Sequence, residues 1–507
     1  EKIRFSNKLI FFKYDTYLMR VLFLNPPFKT EHGKYSRTSR TPAITKSGTV
    51  YYPIWLCYAA AAVEQGGHEI NVIDSCANQY NLETTLNMVN EFKPDIVIED
   101  TSTASIHEDV RMAVEIKKIL PNTFIGLMGT HPSSLPEETL PLSDSVDCVA
   151  VGEADLTCLD IANNFKNISE SFDDAMSSIN GLVFRDSNDK IITNKPRELN
   201  PDLDSLPFVS EIYSRYLNID EYFFAACDYP EVQIMTSRGC VARCTYCVYP
   251  YAMHGLKYRK RSPENIADEF EWIVNNLPSV REIGLEDDTF TGDQKHVVEF
   301  CKIILERGIK IKWYCNVRAN LKKEVMYWMK KAGCVLMTVG YESANSDILL
   351  NVDKKITVDQ NLTFSKNAKD AGIMVHGCFM AGNRGDTKYS LKQNRDQALK
   401  MMDDTMQFFP LTVYPGTPDY DWANKNNVLL SDNYSDYVTE EGMHNSLVRM
   451  KDMTVDEILS WCDESRKKYY LRPKYLIYKL KQSILHPQEI RRNFKAGKRF
   501  ISILLSN

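Results

Sequence analysis

Three cysteines, Cys240, Cys244 and Cys247, stand together at the spacing C-x3-C-x2-C. Thiolates at this spacing can bind three irons of a cubane cluster and leave the fourth iron without a protein ligand. An iron with an open position can bind a small molecule. Zinc is the alternative, but structural zinc requires four closed ligands, and the next histidine, His254, belongs to no matching pair. The pattern therefore favours an iron–sulfur cluster.

The other ten of the 13 cysteines are scattered singly along the chain. Scattered cysteines are most often small buried hydrophobes, and an odd total argues against a disulfide framework, so we expect a reducing, cytoplasmic compartment. The apolar pair Phe11–Phe12 is followed closely by Lys13 and Asp15, which is not the pattern of a signal peptide. Met19 opens the first strand, and residues 1–18 are interpreted as an upstream extension.

Composition and charge limit the function classes. The 507 residues are 44% hydrophobic and 25% charged, as in a folded protein of about three domains, and no apolar run reaches the length of a membrane span. The net charge of −6 hides a basic tail, since residues 466–499 carry twelve lysines and arginines against the single acid Glu489. The acidic remainder argues against nucleic acid as a partner. The tail could lie on an anionic membrane, or it could be a solvated helical face packed on the protein.

Residues 19–165 must position one set of ligand-binding loops. Short apolar runs alternate there with helical stretches, which predicts a Rossmann-like, doubly wound parallel sheet of about five strands. The predicted strands are Val21–Leu24, Ile70–Ile73, Asp95–Glu99, Phe124–Met128 and Cys148–Val151. The predicted helices are Ile54–Gln65, Leu82–Phe92 and Glu108–Ile119. Ligands of such sheets bind outside the carboxyl ends of the strands.

The cysteines follow the first strand of a second alternating segment. Residues 166–231 are predicted to be a connector with a hairpin at 181–193, and residues 232–420 contain six strand–helix units, as in a partial (β/α)6 barrel. The predicted strands are Val232–Thr236, Glu282–Glu286, Lys312–Cys315, Leu336–Gly340, Met374–Met380 and Met406–Leu411. The predicted helices are Glu264–Asn275, His296–Arg307, Lys323–Lys331 and Asn361–Asp370. Residues 421–507 are predicted to be mainly helical. The fold class is thus α/β.

The cysteine motif after the first strand of a six-unit barrel resembles the radical S-adenosylmethionine (SAM) superfamily. The resemblance implies that Cys240, Cys244 and Cys247 hold a [4Fe-4S] cluster and that SAM chelates its open iron. One electron, from a reductant such as flavodoxin or ferredoxin, would then yield a 5′-deoxyadenosyl radical that abstracts hydrogen. Tyr246 matches the aromatic residue that commonly lies beside the adenine of SAM in this family.

Other barrel segments match the family as well. The resemblance places Asp287 in the second-strand loop facing SAM or substrate, although its neighbours Asp288 and Asp293 could simply cap the next helix. Glu342 resembles the glutamate that bonds SAM, with a structural ion pair as the alternative. The remaining matches are Arg318, which could neutralise the SAM carboxylate or pair with Asp287, and Gly382, in the glycine loop near the adenine.

The N-terminal segment resembles a cobalamin-binding domain. The residues expected at the corrin lie on strand-end loops and are Thr101, Ser102, Thr103, Gly129, Thr130, His131, Gly152 and Glu153. Ordinary βα turns are the alternative reading of these loops. The Asp-x-His-x-x-Gly signature is absent, because His32-Gly33 has the wrong spacing and His68 lies at a turn. Cobalamin is therefore expected to bind without a coordinating histidine, and His131 is as well explained by a structural role.

This pairing of domains resembles the group that contains the anaerobic magnesium-protoporphyrin ester cyclases and the hopanoid cyclitol ring-contraction enzymes. The resemblance implies an enzyme that modifies an unactivated carbon of a small-molecule or lipid-like biosynthetic intermediate, by methylation or by ring contraction or cyclisation. The alternative is an iron–sulfur electron carrier or sensor without catalysis. Carriers normally close the cluster with a fourth cysteine, and no fourth spaced cysteine lies nearby.

Overall fold

The computed structural model describes residues 18–485, and its first sheet is N-terminal. The strands are β1 (Arg20–Asn25), β2 (Glu69–Asp74), β3 (Ile96–Thr101), β4 (Phe124–Gly129), β5 (Cys148–Ala150), β6 (Leu182–Arg185) and β7 (Ile191–Thr193). Their order is β2-β1-β3-β4-β5-β6-β7. The five predicted parallel strands are confirmed, and the predicted hairpin joins the same sheet as the antiparallel pair β6–β7. The domain boundaries at 165, 231 and 420 remain predictions.

Both faces of this sheet are covered, because alternate side chains of each strand enter different cores. Val21 and Phe23 of β1 belong to one buried cluster, whereas Leu22 and Leu24 belong to another. The helices of this region are Ile54–Gln65, Ser75–Asn78, Leu82–Phe92, Ile106–Ile119, Thr130–Ser134, Pro136–Thr139, Asp155–Glu170 and Phe172–Ser177. Burial on both faces makes the strands almost continuously apolar, and this is why the sequence identified them.

The strand order reverses between β1 and β3, so a crevice for ligands opens at their carboxyl ends. Residues 28–52 fold back over this edge and include the short antiparallel pair Tyr35–Ser36 and Ala43–Ile44. The fully buried Arg37 anchors this covering segment through an ion pair of 2.6 Å with Asp109. The segment has no helical or strand periodicity, so the sequence predicts no role for it.

The second sheet is the predicted partial barrel. Its strands are β8 (Glu231–Ile234), β9 (Glu282–Leu285), β10 (Lys312–Val317), β11 (Cys334–Glu342), β12 (Met374–Ala381) and β13 (Thr405–Pro410). All neighbours are parallel and in sequence order, with β8 and β13 at the two edges. The helices are Val209–Tyr216 before the barrel, then Pro263–Asn276, Gln294–Glu306, Lys323–Lys331, Ser346–Asn351, Val358–Ala371, Lys388–Met401 and Pro418–Lys425. Parallel order places the carboxyl ends at one mouth.

The C-terminal region is less helical than the sequence predicted. After the barrel, residues 426–454 are mostly loop with one 3-10 turn, Tyr434–Tyr437, and helices return only at Val455–Tyr470 and Pro473–Leu485. Each helix within residues 18–485 is too short or too polar to cross a membrane. Residues 486–499 of the basic tail and residues 1–17 of the predicted extension lie outside the described residues.

Candidate active site

The three cysteines lie on a loop that leaves β8 and is closed by a two-stranded ribbon, Ser237–Arg238 with Arg259–Lys260. Gly239 has a φ of +78°, and a side chain there would collide with the carbonyl of Lys257. Glycine therefore lets the loop turn tightly just before Cys240.

The donor set of this loop fits an iron–sulfur cluster. Cys244 is buried, whereas Cys240 and Cys247 are half-buried. Within residues 18–485, no three His, Cys, Asp or Glu side chains converge closely enough to hold a single metal ion. In a cubane cluster each thiolate binds a different iron, so three separated thiols suit that group.

The three thiols are surrounded partly by buried protein and partly by a cation. Burial raises the pKa of both Cys240 and Cys247 in the absence of a metal. Arg318 lies beside Cys244, and its Nη1 donates to Sγ of Cys244 at 3.8 Å. Its Nη2 donates to the carbonyl of Lys354. The guanidinium therefore lies against one of the three proposed cluster ligands.

Glu342, at the end of β11, is the centre of the neighbouring polar cluster. Its Oε1 accepts hydrogen bonds from the hydroxyl of Tyr246 at 2.9 Å and from Nζ of Lys354 at 2.8 Å. Its Oε2 is buried with no partner among the described residues. Glu342 also has a φ of +61°, which is unusual for a residue with a side chain and occurs preferentially at functional sites.

Lys354 is a buried cation that the sequence analysis missed. Burial would lower its pKa, but Glu342 raises the pKa above its usual value, so the side chain is a stable ammonium. Lys354 lies in a turn between Asp353 and Lys355, both of which have a positive φ. A lysine in a polar turn is expected to be exposed, and only the folded structure shows that Lys354 is buried.

Asp287 holds the protein backbone, and its contact with SAM or substrate stays a prediction. Its carboxylate accepts hydrogen bonds from the amide nitrogens of Thr236 and Ser237, at 2.6 and 3.0 Å, and from the Thr236 hydroxyl at 2.5 Å. The side chain thus fixes the start of the cysteine loop. The possible pairing of Arg318 with Asp287 is wrong, because the guanidinium contacts Cys244 and Lys354 instead.

The two carboxylates that could cap a helix behave differently. Asp293 caps helix 294–306 by accepting from the amide nitrogens of Lys295 and His296. Asp288 instead lies 2.9 Å from Nδ1 of the buried His254. Burial alone would raise the pKa of Asp288, but His254 lowers it below its usual value. This buried pair was not predicted.

Gly382 follows β12 with a φ of +90°. Its amide donates to Asp386 Oδ2 at 3.0 Å, and the amide of Asn383 donates to the same oxygen at 2.8 Å. The loop therefore turns around one buried carboxylate. A side chain at position 382 would contact Ile458 of helix 455–470, which packs against this loop.

The strand ends of the N-terminal sheet bring several predicted cobalamin residues together. Thr101 donates from Oγ1 to the carbonyl of Met128 at 2.9 Å, which ties the end of β3 to β4. A side chain on Gly129, whose φ is +118°, would collide with the carbonyl of Thr101. The close approach of these two strand ends therefore requires glycine.

The loop after β3 is buried beneath the covering segment. Ser102 Oγ lies 2.9 Å from the hydroxyl of Tyr35, and Thr103 begins the short 3-10 turn that follows. Both Ser102 and Thr103 are almost inaccessible. The Ser102 side chain is thus engaged by the protein itself.

His131 is the strongest sign of a ligand at this edge. Thr130 and His131 open the short helix Thr130–Ser134, and both ring nitrogens of His131 are buried with no partner among the described residues. Burial lowers the pKa of His131 to about 3, so the imidazole is neutral. Its ring contacts that of Tyr434 at 4.5 Å. Two unsatisfied ring nitrogens at a strand-end crevice fit a polar ligand such as cobalamin.

The loop after β5, which contains Gly152 and Glu153, contacts the region of the cysteine loop. Gly152 donates its amide to Ser133 Oγ at 2.9 Å, and a side chain there would lie 3.6 Å from the carbonyl of Met253, in the turn after the cysteines. Ser133 Oγ in turn donates to the sulfur of Met253 at 3.5 Å. The ligand-facing edge of the first sheet therefore packs directly on the cysteine loop.

Glu153 is committed to ion pairs rather than left free for a ligand. It pairs with Arg259 and, at 3.3 Å, with Arg238, which also binds Asp155. All four side chains are buried. Burial would raise the pKa of Glu153, but the two arginines lower it. The network fastens the ribbon of the cysteine loop to the N-terminal sheet.

His68 lies at the predicted turn. Its Nδ1 accepts from the amide nitrogen of Met19, and its Nε2 lies 3.1 Å from Oδ1 of Asn163, so its role is structural.

Comparison with known proteins agrees with this division. The family model for the radical SAM superfamily matches residues 234–395, and that for the B12 binding domain matches residues 40–162. An uncharacterized methyltransferase of Pyrococcus horikoshii is 30% identical over 85% of this chain and 90% of its own length. The anaerobic magnesium-protoporphyrin IX monomethyl ester cyclase of Cereibacter sphaeroides is 23% identical over 91% of this chain and 72% of its own length.

Among solved structures, the radical SAM methyltransferase TsrM of Kitasatospora setae, with cobalamin and a [4Fe-4S] cluster bound, has the same fold. It aligns with a TM-score of 0.65 and 15% identity over 89% of this chain and 91% of its own. The predicted fold class and family are confirmed, and the electron-carrier alternative is wrong. The chain belongs to the radical SAM superfamily, among the enzymes that combine a [4Fe-4S] cluster and SAM with a B12-binding domain.

Proposed function

We propose that this enzyme modifies an unactivated carbon of a small-molecule biosynthetic intermediate at the junction of the two sheets. One observation carries the proposal: the His131 edge of the N-terminal sheet packs, through Ser133 and Gly152, on Met253 just after the cysteine loop. Groups bound at the two places would therefore be neighbours. Neighbouring cofactors can act on one substrate without releasing it.

In this proposal the three cysteines hold the cluster, and Glu342, Tyr246, Lys354 and Arg318 surround SAM. When bound, the cluster and SAM supply the radical that abstracts hydrogen from the substrate. The free Oε2 of Glu342 suits an ammonium or hydroxyl donor, whereas the two cations suit a carboxylate. Gly382 remains a proposed adenine contact through its backbone. Asp287 would act indirectly, by holding the loop.

Cobalamin would lie at the crevice formed by Thr101, Gly129, Thr130 and His131. His131 could donate or accept a hydrogen bond there, because its neutral ring has one N–H and one free nitrogen. Ser102, Gly152 and Glu153 would shape this crevice, since their side chains or backbones are engaged by the protein. Thr103 remains a proposed cobalamin contact.

Methylation is the reaction that we favour, because the P. horikoshii relative is a methyltransferase and covers most of the chain. Ring contraction or cyclisation is the second candidate, on the likeness to the magnesium-protoporphyrin ester cyclase. Enzyme reconstituted without oxygen and reduced with dithionite should convert SAM to 5′-deoxyadenosine, and mass spectrometry should detect it. Methylation should also yield S-adenosylhomocysteine, whereas a rearrangement should not. Absence of 5′-deoxyadenosine would contradict both reactions.

The proposed protein partner is a one-electron reductant of the flavodoxin or ferredoxin type, because the cluster needs an electron for each turnover. Reduced flavodoxin should replace dithionite in the same assay. If only dithionite supports the reaction, this partner is excluded.

We also propose peripheral contact with an anionic membrane through helix 473–485. Tyr475 and Tyr478 dock this helix on the barrel by bonding the carbonyl and the carboxylate of Asp404, at 2.6 and 2.8 Å. Four apolar side chains on the other side are each more than half exposed, namely Leu476, Ile477, Leu480 and Ile484. Lysines near an exposed apolar stripe, here Lys474 and Lys481, favour anionic lipid.

Sedimentation with vesicles tests this contact. The full chain should sediment with vesicles of phosphatidylcholine and phosphatidylglycerol but not with phosphatidylcholine alone. Leu480→Glu should abolish sedimentation, whereas Leu350→Glu, at an exposed leucine elsewhere, should not. Equal binding by the two variants would refute the assignment.

A further inference from the structure

Strands β12 and β13 present a row of polar side chains on one face. His376 is directly opposite Thr405, and Cys378 is directly opposite Gln407. These four residues are half-buried, whereas the residues between them, Gly377 and Met406, are buried. Side chains alternate between the two faces of a strand, so the accessible row shares one face.

This face lines the barrel lumen. The ring of Phe224 packs edge-on against His376 of β12 at 5.9 Å and also contacts Tyr314 of β10 at 5.2 Å, so it spans β11 on the inner face of the curved sheet. On the other face, Phe408 packs on Trp461 of helix 455–470 at 5.6 Å. The polar row therefore faces inward, above a floor made by Phe224.

The row forms a hydrogen-bond chain that orients one amide. The Thr405 hydroxyl lies 2.7 Å from His376 Nδ1, and His376 Nε2 lies 3.4 Å from Gln407 Oε1. Burial lowers the pKa of His376 to about 4, so the ring is neutral and donates from Nε2 when Nδ1 accepts from Thr405. The Cys378 thiol also donates to Gln407 Oε1, at 3.8 Å.

These contacts occupy the oxygen of Gln407 and leave its nitrogen for the lumen. Among the described residues, no acceptor lies within hydrogen-bond distance of Gln407 Nε2. The nearby cations are committed elsewhere: Arg40 to Glu286 and to the carbonyl of Asp287, and Lys354 to Glu342. This face of β12 and β13 thus offers a neutral hydrogen-bond donor, and the cations near it are already paired.

We infer that Gln407 is a specificity-determining residue that binds an uncharged hydrogen-bond acceptor of the substrate, such as a carbonyl oxygen. His376 and Thr405 are positioning residues, because they act by fixing the orientation of the Gln407 amide. The polar row adjoins the Glu342 cluster, because Cys378 pairs with Gly340 of β11. The inference rests on the proposed function in one respect, because it takes the substrate to bind in the barrel lumen.

Three probes of one shape test the inference: benzamide is neutral, benzoate is an anion and benzylammonium is a cation. Equilibrium dialysis against the reconstituted full chain should give benzamide the lowest Kd, by about tenfold. Gln407→Leu should weaken benzamide about fivefold, and His376→Phe or Thr405→Val about threefold, which is the size expected for one hydrogen bond. Gln65→Leu, at an exposed helix end, is the matched control and should change nothing.

Gln407→Glu is nearly isosteric and should reverse the preference towards benzylammonium. Equal affinities for the three probes, or an unchanged benzamide Kd in both Gln407 variants, would overturn the inference. Probe binding needs no turnover, so failure of the proposed radical reaction would be seen separately, in the 5′-deoxyadenosine assay.

Discussion

The hydroxyl of Tyr246 donates a hydrogen bond of 2.9 Å to Glu342, which joins the cysteine loop to the end of the fourth barrel strand. Tyr246 lies between Cys244 and Cys247 in sequence, and Glu342 is about a hundred residues away. The same carboxylate oxygen accepts from Lys354. A change at Glu342 should therefore affect what binds beside the cysteines.

Glu342→Gln should weaken SAM binding by roughly 10–100-fold, because one charge-assisted hydrogen bond contributes about 1.5–3 kcal/mol. The variant keeps the shape of the side chain but leaves Lys354 without its counter-ion. Calorimetric titration of SAM into the reconstituted enzyme measures the change. Glu457→Gln, in an exposed helix cap, serves as the control and should bind SAM normally. Unchanged affinity in Glu342→Gln would remove Glu342 from the proposed site.

Cys244→Ala should abolish cluster assembly, because a cubane needs all three thiolates of the loop. Iron and sulfide analysis and the visible absorption of the reconstituted protein measure the loss. Cys301→Ala, in helix 294–306, should retain the full iron content. Normal iron content in Cys244→Ala would contradict the assignment of the loop.

Without cobalamin, the stability that Asp100 and Asp109 contribute should fall as the pH rises towards 7. Burial raises the pKa of Asp100 to about 7 and that of Asp109 to about 6, partly offset by Arg37. The folded state then retains protons that the unfolded chain releases above pH 4, so the stability that these two carboxyls contribute is present below about pH 4 and is lost as the pH rises through about 7.

Asp100→Asn should flatten this dependence and raise the free energy of unfolding at pH 7.5 by about 2 kcal/mol. Chemical denaturation from pH 5 to pH 8 provides the measurement. Asp144→Asn, at a fully exposed carboxylate, should leave the slope unchanged. A steeper slope in Asp100→Asn would show that the sign is wrong.

Glu153→Gln should lower the free energy of unfolding by about 3 kcal/mol, because it leaves Arg259 and Arg238 buried without their shared carboxylate. Urea denaturation measures the difference. Asp396→Asn breaks the exposed pair with Lys392 and should cost less than about 1 kcal/mol. Equal effects of the two changes would mean that the network does not fasten the sheets.

The sequence by itself determined the cysteine loop, the parallel strands of both sheets and the family. Cysteine spacing is local, and strands buried on both faces, such as β4, are continuous apolar runs that can be recognised in the sequence. Helices 82–92 and 323–331 have the predicted bounds because their apolar spacing is periodic. Helix 54–65 has them because a continuous apolar run ends shortly before Gly66.

Only the tertiary structure decided which polar side chains meet. Asp287 anchors the cysteine loop and Glu153 is an ion-pair partner, because each carboxylate meets donors that lie far away in the chain. Their ligand contacts stay predictions. Lys354 and Gln407 carry no local signal, since lysines and glutamines are ordinarily exposed. Their roles follow from burial beside Glu342 and His376, and long-range contacts of this kind leave no trace in sequence periodicity.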